Sequence, residues 1–232
     1  MKKALIASVI ASSFAFAANA TDYSATLTGA SDYLFNGISQ TGEDPAIQGS
    51  FDIGFDNGFY VGTWASNVDF GSGDDANAEW DFYAGYSQDF ADGWNYDLMI
   101  NQYTYVGESD YNYPEVSAAI TAPTDTTLRV WYTWKQFGQS NLDHTYVQLH
   151  QGYAIDEIWG LEAAYTYSKA LSGPGADTYW YGKDHYSNWL VGVTASYQGF
   201  DFALNWQDTD IDNAKEADGR IFFSVSRTFD FK

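Results

Sequence analysis

The strongest constraint on this chain is a period-two alternation of apolar and polar residues, running from about residue 23 to the last strand and broken by connections that alternate between longer and shorter. Period two sends successive side chains to opposite faces of a strand. Ile47, Phe51, Ile53 and Phe55 share one face and Gln48, Ser50 and Asp52 the other, while Trp80, Phe82, Ala84 and Tyr86 alternate with Glu79, Asp81, Tyr83 and Ser87. The pattern predicts twelve strands, at 23–35, 46–55, 59–68, 79–88, 94–105, 113–122, 127–136, 144–153, 159–168, 186–197, 200–207 and 220–231. The longer connections are then 36–45, 69–78, 106–112, 137–143, 169–185 and 208–219, and the shorter ones 56–58, 89–93, 123–126, 154–158 and 198–199. Asp56-Asn57-Gly58 reads as a tight hairpin, because Asn-Gly supplies the positive φ angles such turns need.

Period two alone fits a soluble sandwich as well as a barrel. Three features favour the barrel. The strand number is even, with long loops at one end and tight turns at the other. Aromatics gather beside the short turns, at Phe55, Phe59, Trp94, Tyr96, Phe200 and Phe202, where a membrane interface wants them. The chain ends on an alternating aromatic strand, with Ile221, Phe223, Val225, Phe229 and Phe231 on one face. Arg227 falls on that apolar face, where its stem can snorkel toward the interface. The expected fold is all-β: a single antiparallel transmembrane barrel of about twelve strands, both termini periplasmic, in the outer membrane of a Gram-negative bacterium.

The first twenty residues read as a cleaved signal peptide rather than structure. Lys2 and Lys3 precede an apolar run from Ala4 to Ala17, and Ala18-Asn19-Ala20 fits a small-x-small cleavage site. The barrel is then 21–232. That mature chain carries 8 Lys+Arg against 31 Asp+Glu, a net charge of −23. Nucleic acid is excluded as a partner, since phosphate binding needs clustered bases. With no Cys, disulfide scaffolds, thiolate metal sites and thiol nucleophiles are excluded too. No later apolar stretch approaches the ~20 residues a membrane helix needs, so any crossing must be made by strands.

One family matches particular segments. Ser31-Asp32-Tyr33-Leu34-Phe35-Asn36-Gly37-Ile38-Ser39-Gln40-Thr41 resembles the N-terminal signature of the TorF family of inferred porins, as do Asp44 to Gly49, Gly58 to Phe70, Glu79 to Tyr86 and Asp110 to Glu115. The resemblance is specific over about 22–116 and diffuse beyond. It implies a bacterial outer-membrane barrel with a channel role, and it supplies no catalytic residues.

If the apolar register faces lipid, the other lines the lumen. Its acids are Asp52, Glu79, Asp81, Asp97, Glu115, Glu162 and Asp201; its bases are Arg129 and Lys135, joined by Arg220 at the start of the last strand. Carboxylates in a bore raise the local cation concentration, which reads as a passive porin for small cationic or neutral solutes. The other reading is a barrel closed by pairs and aromatics such as Tyr60, Trp64, Tyr83, Tyr103 and Trp131, with Glu115 and Lys135 as a structural ion pair. Such a barrel would act as a surface structural or interaction protein through its acidic extracellular loops. A hydrolase would be built on His144, His150 or His185, with Ser140 near His144 in sequence, but no nucleophile motif is present. No enzyme activity and no cofactor is expected. The expected partners are outer-membrane lipid, lipopolysaccharide and small solutes. Weak divalent-cation binding is a further reading of two acidic loops, one with Asp69, Asp74, Asp75 and Glu79 and one with Asp208, Asp210 and Asp212, although the EF-hand pattern fails there.

Overall fold

The computed structural model describes residues 22–231; the leader read at 1–20 lies outside the described residues. Twelve antiparallel strands close into one barrel. In chain order they are β1 (Asp22–Ala30), β4 (Ala46–Gly54), β5 (Phe59–Asn67), β6 (Ala78–Ala91), β7 (Trp94–Val106), β8 (Tyr113–Thr121), β9 (Thr126–Thr133), β10 (Asp143–Ala154), β11 (Trp159–Ser172), β12 (His185–Tyr197), β13 (Phe200–Thr209) and β14 (Arg220–Phe231). The two-residue strands β2 (Leu34–Phe35) and β3 (Ile38–Ser39) form a separate small hairpin. Each barrel strand pairs with its neighbours in sequence, and β1 closes the ring on β14 through pairs such as Ala25↔Phe229 and Thr28↔Ser226. Closure leaves no sheet edge, the condition for a β-structure in hydrocarbon, where unpaired backbone groups cost several kcal/mol each.

The exterior is apolar and the interior polar, the reverse of a soluble protein. Leu27, Ile47, Phe82, Leu98, Ile100, Leu128, Leu149, Val191, Leu204 and Ile221 all stand exposed on the outside. Their sequence neighbours Thr28, Gln48, Asp81, Asn101, Arg129, Asn205 and Phe222 are buried inside. Aromatics ring the short-turn end, with Phe59 against Tyr86 at 4.9 Å and Phe90 against Trp94 at 6.3 Å. Arg227 is exposed on this outer face and lies over the rings of Phe200 and Phe229, 4.8 and 5.3 Å from their centroids, so cation–π contacts hold it at the belt. Both ends of the described residues lie at the short-turn end, where Asp22 pairs with Gly54 and Tyr23 with Phe231.

Three local expectations are corrected. In the Asp56-Asn57-Gly58 hairpin only Gly58 takes a positive φ, +89°, and its N–H donates to Phe55 O. Gln198-Gly199, by contrast, is positive at both residues, φ 53° and 78°. β9 ends at Thr133 rather than 136, because the chain turns into a short 3-10 segment at Gln136–Gly138 with Phe137 at φ 46°. The first strand stops at Ala30 rather than Phe35. Its continuation, residues 31–45, does not lie outside as a loop but folds into the bore, turning back on itself through Asn36 (φ 48°) and Gly37 (φ 88°).

Candidate functional site

The inward carboxylates gather mostly on one side of the lumen, on β4 to β8, and tyrosines hold them. Tyr60 Oη donates to Asp97 Oδ2 at 2.7 Å, and Tyr103 Oη to Glu115 Oε1 at 2.9 Å. Tyr83 Oη donates to Asp52, which also accepts from Ser50 Oγ at 2.9 Å. Asn101 Nδ2 donates to Asp81 Oδ2 at 3.2 Å. The base for this side comes from β9, where Arg129 Nη1 lies 2.9 Å from Asp97 Oδ1 and 3.2 Å from Ser117 Oγ. Glu79, Asp81 and Glu115 are 2%, 6% and 2% exposed, so the donors replace solvent that these carboxylates have lost. Among the described residues Asp81 Oδ1, Glu115 Oε2 and Glu162 Oε1 find no hydrogen-bond partner.

The other side of the bore is amide-rich. Gln207 Nε2 donates to Asn188 Oδ1 at 3.1 Å and Gln148 Nε2 to Thr166 Oγ1 at 2.9 Å. Glu162 lies there, 3.4 Å from His150 Nε2. Asp201 sits near the short-turn mouth and accepts from Ser196 Oγ at 2.5 Å. Lys135 is not in the bore with Glu115. It follows the end of β9, and its Nζ donates to Asn112 O at 2.8 Å, so the ion pair suggested by the sequence does not form.

Residues 31–45 cross between these two sides. Tyr33 donates to Glu79 Oε1 on β6 at 3.0 Å and packs edge-on against Trp64 of β5 at 5.3 Å. Phe35 packs on Tyr103 and Tyr146, at 6.3 and 5.6 Å. Leu34 clusters with Leu190 of β12 and Phe222 of β14, and Tyr186 Oη donates to Asn36 O at 3.1 Å. In the ring order β6 and β12 stand opposite each other, so the segment spans the barrel. A polar latch fixes it. Asp32, 5% exposed, accepts from Ser39 Oγ (2.7 Å), Thr41 Oγ1 (2.9 Å) and Arg220 Nη1 (3.1 Å). Glu43 adds Lys215 at 3.1 Å and Arg220 at 3.5 Å. Below the segment a cavity of about 40 Å³, room for only a few waters, touches Leu34, His150, Glu162 and Gln207. Above it, at the long-loop end, opens a vestibule of about 580 Å³.

The histidines do not build a nucleophile site. His144 is fully buried, and its Nε2 accepts from Trp180 Nε1 at 2.9 Å rather than from Ser140. His185 Nδ1 lies 2.5 Å from Asp184 Oδ1. The acidic loops are not preformed cation sites: among the described residues no three metal-ligating groups converge. Their carboxylates serve the loops themselves, with Asp69 accepting from Gly71 N, Asp74 from Ala76 N and Asp210 from Ser187 N, each within 2.9 Å.

At the long-loop end, Lys169 Nζ lies 2.7 Å from Asp184, and with His185 it draws the Asp184 carboxyl down to about 2. A depressed carboxyl stabilises above its unfolded value near 3.9 and loses that contribution as pH falls toward 2. The expected result is acid loosening of loop 173–184 between about pH 4 and 2, seen as faster amide exchange there and absent in Asp184→Asn.

A closed β-ring with an apolar outside, an aromatic belt and a polar bore defines the class: an outer-membrane β-barrel of the channel type. The chain belongs to the Gcw_chp family, described as bacterial protein of unknown function, whose model matches residues 14–230. None of the curated proteins matches it in sequence. Among solved structures it is similar in fold to the KdgM porin, at 8% identity and TM-score 0.56 over 90% of this chain and 99% of that one. A second structure of that porin, in complex with disordered oligogalacturonate, matches at 9% identity and TM-score 0.55, over 91% of this chain and 99% of that one. The COG4313 outer membrane channel from Pseudomonas putida F1 matches at 11% identity and TM-score 0.55, over 97% of this chain and 100% of that one.

Proposed function

We propose that this protein is an outer-membrane channel of restricted bore for small cationic or neutral solutes, with residues 1–20 removed and both ends in the periplasm. The observation that carries this reading is the bore itself: a polar lumen edged with carboxylates that hold unpartnered oxygens at Asp81, Glu115 and Glu162. A barrel serving only as an anchor has no use for buried acids, each of which costs desolvation. The TorF signature at 31–41 supports the same role, since those residues form the segment across the bore. The KdgM porin has been seen with an acidic saccharide. The bore here would repel such a solute, because among the described residues its pore-lining acids Asp52, Glu79, Asp81, Asp97, Glu115, Glu162 and Asp201 outnumber the bases Arg129 and, at the latch, Arg220, with His150 beside Glu162. Lipid and lipopolysaccharide contact the outside.

Planar-bilayer recording of the refolded mature chain in a KCl gradient tests this. Small stepwise currents with a reversal potential favouring K⁺ are expected. Glu162→Gln with Asp81→Asn should move that potential toward zero, because fewer fixed acids then focus cations. An inserted barrel that passes no current at any voltage would leave the closed structural barrel in its place.

A further inference from the structure

The vestibule above the crossing segment is built from aromatic rings. One wall holds Phe70, Tyr105, Tyr111 and Phe137, with Tyr111 stacked on Phe137 at 4.4 Å and Phe70 edge-on to Phe137 at 5.5 Å. A second wall is the 179–181 turn, where Tyr179 and Trp180 meet at 4.7 Å. Phe35 and Tyr146 form the floor. Concave sites lined by aromatic side chains with a few placed polar groups are the usual form of small-molecule pockets.

The charges that the rings themselves hold are carboxylates. Tyr111 Oη donates to Asp74 Oδ2 at 2.5 Å on the first wall, and Tyr181 Oη donates to Glu216 Oε1 at 2.5 Å on the second. Asp69 lies beside them. Among the described residues one base lines the vestibule, Lys215, and its Nζ lies 3.1 Å from Glu43 Oε1. Two rings therefore carry a hydrogen-bonded carboxylate each. The bond to Asp74 also holds the Tyr111 phenol up to about 12, so the ring stays neutral. A phenol that donates to a carboxylate has a more electron-rich face, which strengthens its attraction for a cation. Gln136, only 3% exposed, lines the same cavity, and its Oε1 has no hydrogen-bond partner.

We propose that this vestibule is a binding site for organic ammonium ions with an apolar body: the body lies against the rings, and the charge lies between the two tyrosine–carboxylate pairs. The inference deepens the cation-channel reading and rests on it for its physiological sense, but binding itself is independent of conduction. An inorganic cation would gain little from the rings, and an acidic ligand would meet the carboxylates of Asp69, Asp74 and Glu216, none of which has a basic partner among the described residues. A neutral apolar ligand would leave the carboxylates desolvated and unpaired.

Equilibrium dialysis of the refolded barrel against benzyltrimethylammonium and its uncharged isostere neopentylbenzene tests the site. The cation should bind saturably and at least about tenfold more tightly than the isostere. Asp74→Asn with Glu216→Gln should weaken the cation about tenfold while leaving the isostere unchanged. Equal binding of the two probes, no saturable binding, or a variant that binds like the parent would each overturn the proposal. If the variant does not fold, as judged by its heat-modifiable migration on gels, the probe comparison on the parent decides alone. Bilayer recording of the same preparation separates the two readings. Binding without current removes the channel and keeps the site; current without binding does the reverse.

Discussion

Releasing the segment across the bore is expected to raise single-channel conductance about fivefold or more, since a twelve-stranded barrel is wider than the eight-stranded kind that side chains fill. The segment is held by a few strong contacts rather than by sheet pairing. Its own hairpin, β2 and β3, pairs with no barrel strand. Asp32 and Arg220 form the central contact, at 3.1 Å and 6% and 14% side-chain exposure, which shields the pair from screening. Removing one partner of such a buried pair costs about 3–5 kcal/mol because the other charge is left uncompensated. In Arg220→Ala that cost falls on the docked state of the segment, because Asp32 regains water when the segment moves out. The barrel strands should therefore stay paired while the docked state loses its advantage. Recordings of Arg220→Ala should show frequent transitions to the high-conductance level, and replacing 33–43 by a short Gly-Ser link should show that level alone. Unchanged conductance in both would mean that the side chains of β4 to β9, not residues 31–45, set the constriction.

The strand plan was legible because two signals agree. The period-two faces at Ile47–Phe55 and Glu79–Ser87 set the orientation, and the alternating connection lengths chose a barrel over a sandwich. The prediction failed where a third dimension decides. Tyr33 to Phe35 alternates well enough to extend the first strand, yet the chain turns inward after Ser31, which stays exposed against Phe223 of β14, and Asp32 finds Arg220 from the far end of the chain. No local pattern announces a partner 188 residues away. Residues 36–45 were legible as a connection, but not that this stretch would fold into the ring. Lys135 kept the parity of a lumen residue in the sequence but lost it because β9 stops at Thr133 and the chain then turns into the 3-10 segment at Gln136–Gly138. The vestibule was missed for a different reason. Phe70, Tyr111, Phe137 and Trp180 come from four separate loops with no shared period. Their clustering is a product of barrel closure; the one hint was that loops this acidic carry so many rings.

Placing an arginine on the outer face at mid-strand is expected to cost about 2–4 kcal/mol of folding stability in a bilayer, falling to about 0–1 kcal/mol near the interface. Ile100 lies in the middle of β7, 50% exposed, between Ala84 on β6 and Val116 on β8. Ile47 lies at the long-loop end of β4 and is 72% exposed. By exposure alone Ile47 is the more open site. In water the two arginines would then both be harmless, since exposed charges solvate freely and exposed isoleucines contribute little. In hydrocarbon the order is set by depth, because a guanidinium at mid-height must drag water inward or stretch its stem to the headgroups. Reversible unfolding by guanidinium chloride from lipid vesicles should thus rank parent, Ile47→Arg and Ile100→Arg in falling stability, with the large step at Ile100. Equal small losses at both positions would mean that the apolar belt is not in contact with lipid, and the bore could then not be a path across a membrane.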